Sequence, residues 1–157
     1  DYSSLLNAAG GTPLALNYIV GAFTDASTTL TAGATYEAMG GLQVPAGKSL
    51  TIPAGTTIKF HAPTAALLVD GTLTVQGTSG NFAQLVSGKA SPTRTDWAGI
   101  RIRPGSTALI EYARVEWAGV TVKITGVGAT IRYSTIRNFT SASGAGVWVS
   151  GSGASGS

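Results

Sequence analysis

The chain has 157 residues, of which 11% are charged and 43% hydrophobic. Ordinary soluble domains carry about 25% charged residues, and disorder goes with low hydrophobicity and high net charge, so this is neither a typical acidic or basic globule nor a disordered tail. The net charge of +3 comes from basic residues spread along the chain without a Lys/Arg run, which argues against nucleic-acid binding, and the absence of Cys excludes disulfides and thiolate metal sites.

In chain order, "YSSLLNAAGG" (2–11) reads as a short capping helix with Ser3 or Ser4 as N-cap. "NYIVGAF" (17–23) and "TTLTAGATYEA" (28–38) read as strands of a first coil. Residues 1–40 are thus expected to form an N-terminal cap and first-coil segment, followed by a main body over 41–150 and a Gly/Ser-rich tail over 151–157. The apolar segment 13–23 is too short to cross a membrane and contains Asn17. A start at Asp1 fits a processed secreted chain or a trimmed one, and the expected location is extracellular or cell surface.

From residue 42 the texture is short alternating strands between turn words. "LQVPAGKS" (42–49) is followed by "LTIPAGTT" (50–57), "IKF" and "ALLVDGTLTVQGT" (66–78), with Pro-Ala-Gly and Asp-Gly as turn signals. His61, the single histidine, follows a strand and reads as an ordinary turn residue. "FAQLV" (82–86) is a strand, and "SGKASPTRTD" (87–96) a polar corner loop, where insertions cost little.

The second half repeats. "ALIEYARVEW" (108–117) returns as "ATIRYSTIRN" (129–138), twenty-one residues on, and "WAGIRI" (97–102) returns as "WAGVTV" (117–122), twenty residues on. A third Gly-strand unit, "AGVWV" (145–149), follows the "FTSASG" insertion, and "GVGA" (126–129) recurs as "GSGA" (151–154). Alternation points Ile100 and Ile102 inward with Arg101 and Arg103 outward, and Val120, Val122 and Ile124 inward with Thr121 and Lys123 outward. A period near twenty with several short strands is one coil of a parallel β-solenoid, since no coil can bury its inner face alone. About six coils at about 4.8 Å give roughly 30 Å of axial length.

The motifs "LTIPAGT" (50–56), "GTL" (71–73) and "WAGI" (97–100), in that order, resemble the right-handed parallel β-helix domains of bacterial secreted and surface proteins. The resemblance covers roughly residues 28–150. It implies an all-β, right-handed parallel β-helix, and parallel crossovers are right-handed in general. The superfamily includes pectin-degrading enzymes, phage tailspikes and adhesins, so the resemblance leaves function open.

Candidate chemistry is weighed against packing. An offset of twenty-one places Glu111 over Arg132 and Glu116 over Arg137, which predicts ion pairs between coils rather than a catalytic acid pair. Trp97 and Trp117, and Tyr112 and Tyr133, are expected as aromatic ladders. With Asp70 and Asp96 isolated, no Asp-x-Asp pattern and one histidine, no catalytic residue, metal site or cofactor is expected.

Trp148 falls in the outward slot of Arg101 and Thr121. With Arg103 and Lys123 these are the expected contacts for a ligand or a partner. "NFT" (138–140) is a glycosylation acceptor pattern at Asn138.

The chain closes on "GSGASGS" with no amphipathic helix over the last coil, so either the natural chain continues or something else, such as another copy, covers the end. The leading expectation is therefore a non-enzymatic extracellular structural subunit that self-assembles head to tail into a filament. The alternatives are a polysaccharide-binding or polysaccharide-degrading β-helix module and a phage tailspike fragment.

Overall fold

The computed structural model describes residues 17–125, 128–140 and 146–150. The expected capping helix over 2–11, most of the 139–144 insertion and the tail 151–157, with its "GSGA" word, lie outside the described residues, as does part of "GVGA" (126–129).

The described residues form fifteen strands and no helix. They are β1 Asn17–Ala22, β2 Ser27–Thr29, β3 Thr35–Val44, β4 Ser49–Pro53, β5 Thr57–Phe60, β6 Ala66–Val69, β7 Thr72–Gln76 and β8 Ala83–Ser87. There follow β9 Gly99–Ile102, β10 Thr107–Glu111, β11 Ala113–Glu116, β12 Val122–Thr125, β13 Ala129–Arg132, β14 Thr135–Arg137 and β15 Val147–Ser150.

All strand pairings are parallel, and each strand pairs with its counterparts in the neighbouring coils. The chain therefore winds as a β-solenoid of six rungs with three faces. The first face carries the start of β1 and β3, then β5, β8, β11 and β14. The second carries the ends of β1 and β3, then β6, β9, β12 and β15. The third carries β2, β4, β7, β10 and β13. β3 runs through the corner, pairing β5 with Thr35–Ala38 and β6 with Leu42–Val44, so the first two faces form one continuous sheet.

Alternation within each strand decides what is buried. Leu42, Leu67, Ile100 and Val122 form one inward column, and Val44, Val69, Ile102 and Ile124 a second. Ile52, Val75, Ile110 and Ile131 form a third on another face. These columns make one core along the solenoid axis, with rungs about 4.8 Å apart.

Two sequence expectations are corrected here. Trp97 does not stack on Trp117. Its bridge partner is Ala118, and its indole lies flat on Phe60, with ring centroids 4.1 Å apart and planes within 2°. Trp97 is fully buried, and its indole N–H donates to the Glu116 carbonyl at 2.9 Å. Trp117 instead occupies a left-handed corner at φ 66°, one rung before the left-handed corner of Asn138 at φ 58°. The shared "WAG" words are thus one residue out of structural register.

The second correction follows from the first. From Trp97 to Ile100 the chain takes three steps, while from Ala118 to Val122 it takes four. One extra residue is absorbed at the bend, so Ile100 pairs with Val122 and Ile102 with Ile124, not with Val120 and Val122. Gly99, at φ 94°, is required there, because a Cβ would sit 1.9 Å from the Val120 carbonyl oxygen. Thr121 consequently turns into the protein and is fully buried, not outward. Its hydroxyl is the one buried side-chain polar atom among the described residues without a hydrogen-bond partner.

The Phe60–Trp97 stack should dominate the core's sensitivity to truncation. Phe60→Ala is expected to cost about 3–5 kcal/mol. Trp117→Asn should cost about 1 kcal/mol or less, because Asn tolerates the left-handed backbone that the indole-bearing residue occupies at a penalty. Urea unfolding of the two variants checks this, and equal losses would contradict the register given above.

Candidate cationic face

Outward residues are stacked by the same register as inward ones. On the second face the outward column runs Gln43, Leu68, Arg101, Lys123, Trp148, one residue per rung. Lys123, not Thr121, thus stands between Arg101 and Trp148. β9 and β12 present these side chains because Ile100 and Ile102, and Val122 and Ile124, take the inward positions between them.

A shallow groove of about 270 Å³ follows this column, lined by Leu68, Arg101, Arg103, Lys123 and Thr125 with part of Ile102. Arg101 is braced by donation from Nη2 to the Ala98 carbonyl at 3.1 Å. Arg103 donates to Asp70 Oδ1 at 3.2 Å, and Gln43 donates to Asp70 Oδ2 at 2.9 Å. Of the three cations that line the groove, Arg103 is paired with Asp70. Trp148 ends the column with 40% of its surface exposed.

On the first and third faces, stacked charges of opposite sign pair between rungs. Arg132 pairs with Glu111, and Arg137 donates to Glu116 at 2.8 Å, the two inter-rung pairs that the repeat offset predicts. Donation to the Glu111 carboxylate raises the pKa of the Arg132 guanidinium above its ordinary value. Glu111 and Glu116 belong to different faces, each held by its own arginine, so they do not form a two-carboxylate site. Tyr112 and Tyr133 stack at 4.9 Å, both at positive φ, 46° and 53°. Phe82 meets Tyr112 edge-on at 6.1 Å, a contact that the sequence did not signal because Phe82 lies outside the repeat.

The loop between β8 and β9 borders this face and is pinned by Asp96, which is buried. Its Oδ2 accepts from Ser87 Oγ at 2.6 Å and the Thr93 amide at 2.8 Å. Its Oδ1 accepts from Lys89 Nζ at 2.7 Å and Thr93 Oγ1 at 2.5 Å. Burial alone would push this carboxyl up, but the donors Lys89, Ser87 and Thr93 outweigh it and hold the acid well below the usual carboxylate range. In the sequence Asp96 stands as an isolated loop acid. The available signal was a lone Asp three residues after a Thr, at the foot of a polar loop.

A family model described as a pectate-lyase-like beta helix domain matches residues 21–108, a stretch that contains Arg101 and Arg103. No curated protein and no solved structure matches the chain. No helix among the described residues is long and apolar enough to cross a membrane. Among the same residues, no group of three His, Cys, Asp or Glu side chains is placed to hold a metal ion.

Asp96→Asn is expected to destabilise the fold by about 2–3 kcal/mol, through weakened charge-assisted bonds to buried and half-buried donors. Because the folded acid lies below its ordinary value of 3.8, its contribution is complete above that value. It is lost as pH falls below 3.8 towards the lower folded value. Thermal melting from pH 7 to pH 2 should show a smaller acid-side loss in the variant than in the parent.

Proposed function

The chain belongs to the pectate-lyase-like beta helix family, and within it we propose a non-enzymatic, extracellular or cell-surface module that binds acidic polysaccharide along its second face. The observation that carries this reading is the unbroken sequence Arg101, Lys123, Trp148 on successive rungs, with Arg103 beside it. A polymer lying parallel to the solenoid axis meets cations on two adjacent rungs and the indole on the next, each about 4.8 Å further on. Guanidinium groups bind carboxylates through paired N–H donors, and an indole offers a flat apolar surface to a sugar ring. Asp70 neutralises one of the three cations, leaving a net positive groove that favours an anionic chain.

The non-enzymatic part rests on where the carboxylates are spent. Glu37, Asp70, Asp96, Glu111 and Glu116 are each engaged by Lys, Arg or His.

A second reading is a structural unit that stacks with copies of itself along the solenoid axis. Light scattering or electron microscopy of the purified chain tests it, and a monomer at millimolar concentration would remove this reading.

For the polysaccharide reading, titration calorimetry with polygalacturonate and other acidic polymers should show binding that weakens as salt rises. Arg101→Ala, Lys123→Ala and Trp148→Ala should each lower affinity about tenfold, the loss of one charge-assisted or stacking contact. Absence of binding across the panel, or depolymerisation of any member, would overturn the proposal.

A further inference from the structure

On the first face, near the other end of the stack, a second groove of about 320 Å³ is lined by Tyr18, Glu37, Met39, Lys59, His61 and Gly88. Its volume lies at the lower end of small-molecule sites. We propose that this groove is a binding site for a neutral sugar unit, recognised through adjacent hydroxyls.

The floor is polar and organised across rungs. Glu37 on β3 faces Lys59 on β5 in register. His61 Nε2 lies 2.5 Å from Glu37 Oε2, and Lys59 Nζ lies 3.7 Å from Glu37 Oε1, beyond a direct hydrogen bond. Oε1 therefore keeps accepting capacity beside an ammonium with donors to spare. An acceptor and a donor side by side are what vicinal hydroxyls need, because each hydroxyl both donates and accepts.

The walls are apolar and open. Tyr18 is 55% exposed and Met39 54% exposed. A phenol face and a polarisable thioether suit the C–H face of a pyranose ring. Charge selects against ions. Glu37 opposes an anionic ligand and Lys59 a cationic one, so a neutral polyol meets the smallest penalty.

The site is also preformed. The His61 ring occupies the space that a side chain at 88 would take, with a Cβ there lying 2.3 Å from the ring. Glycine at this position seats the imidazole against the sheet, where it orients the Glu37 carboxylate. His61 is thus more than a turn residue, and it acts here as a positioning residue.

This site is separate from the cationic face, so the two can be tested apart. Saturation-transfer NMR on the full chain with methyl glycosides of galactose, glucose and rhamnose should give signal for at least one. Methyl galacturonide should give less. Tyr18→Ala and Glu37→Ala should each weaken that glycoside's binding tenfold or more, with the far-ultraviolet circular dichroism unchanged. Gly88→Ala, which displaces the imidazole from the floor, should weaken it as well, whereas Lys123→Ala should leave it at the parent value. No signal from any neutral glycoside, or parental affinity in folded Tyr18→Ala and Glu37→Ala, overturns the proposal.

Discussion

Every strand of this protein must place its inward side chains on the inward side chains of the next rung. That requirement follows from the energetics of a solenoid. A single rung buries nothing by itself, and its backbone N–H and C=O groups are satisfied only by the rungs before and after it. The columns Leu42–Leu67–Ile100–Val122 and Ile52–Val75–Ile110–Ile131 express the requirement on two faces. The outward surface inherits the same spacing. Side chains of like position fall about 4.8 Å apart whether or not their charges suit one another. Where the charges differ, as at Glu111 and Arg132 or Glu116 and Arg137, the surface neutralises itself. Where they agree, as at Arg101 and Lys123, a charged face remains.

Departures from the repeat are absorbed at corners, and several chain positions show how. Tyr112 and Tyr133 adopt left-handed conformations one above the other, and so do Trp117 and Asn138. Such backbone costs roughly 1–2 kcal/mol per non-glycine residue, and at the tyrosine corner the ring stacking at 4.9 Å offsets part of it. The loop before β9 is held differently, by a single buried carboxylate that gathers four donors. The extra residue between Ala118 and Val122 is taken up with Thr121 inside and its hydroxyl without a partner. That is a destabilising contact, tolerated because it restores Val122 and Ile124 to the core columns.

Much of this was readable from residue order. Alternation in "GIRI" and "VTVKI" gave strands with the correct inward isoleucines, and the twenty-one-residue offset brought Glu111 to Arg132, Glu116 to Arg137 and Tyr112 to Tyr133. The two "WAG" words share letters but not structural position, since Trp97 bridges Ala118. Trp97 is a core residue over Phe60, thirty-seven positions earlier, an offset that matches neither the twenty-residue nor the twenty-one-residue repeat. Glu37 and His61 were unreadable for a related reason. They meet because β3 and the end of β5 are adjacent rungs, and neither position sits in a recognisable repeat.

The sequence by itself determined the class of the fold, since period-two strands recurring about every twenty residues have no other way to bury one face. It also determined which charges pair where the repeat is unbroken. Only the tertiary structure decided the membership of the outward column on the second face. One additional residue at the bend before β12 replaces Thr121 with Lys123, and turns a mixed polar stripe into a cationic one. A shift of one residue exchanges the two sides of a strand, and what sets that shift is the fit of Val122 and Ile124 against Ile100 and Ile102. That fit is a property of two rungs in contact, which neither rung's sequence contains alone.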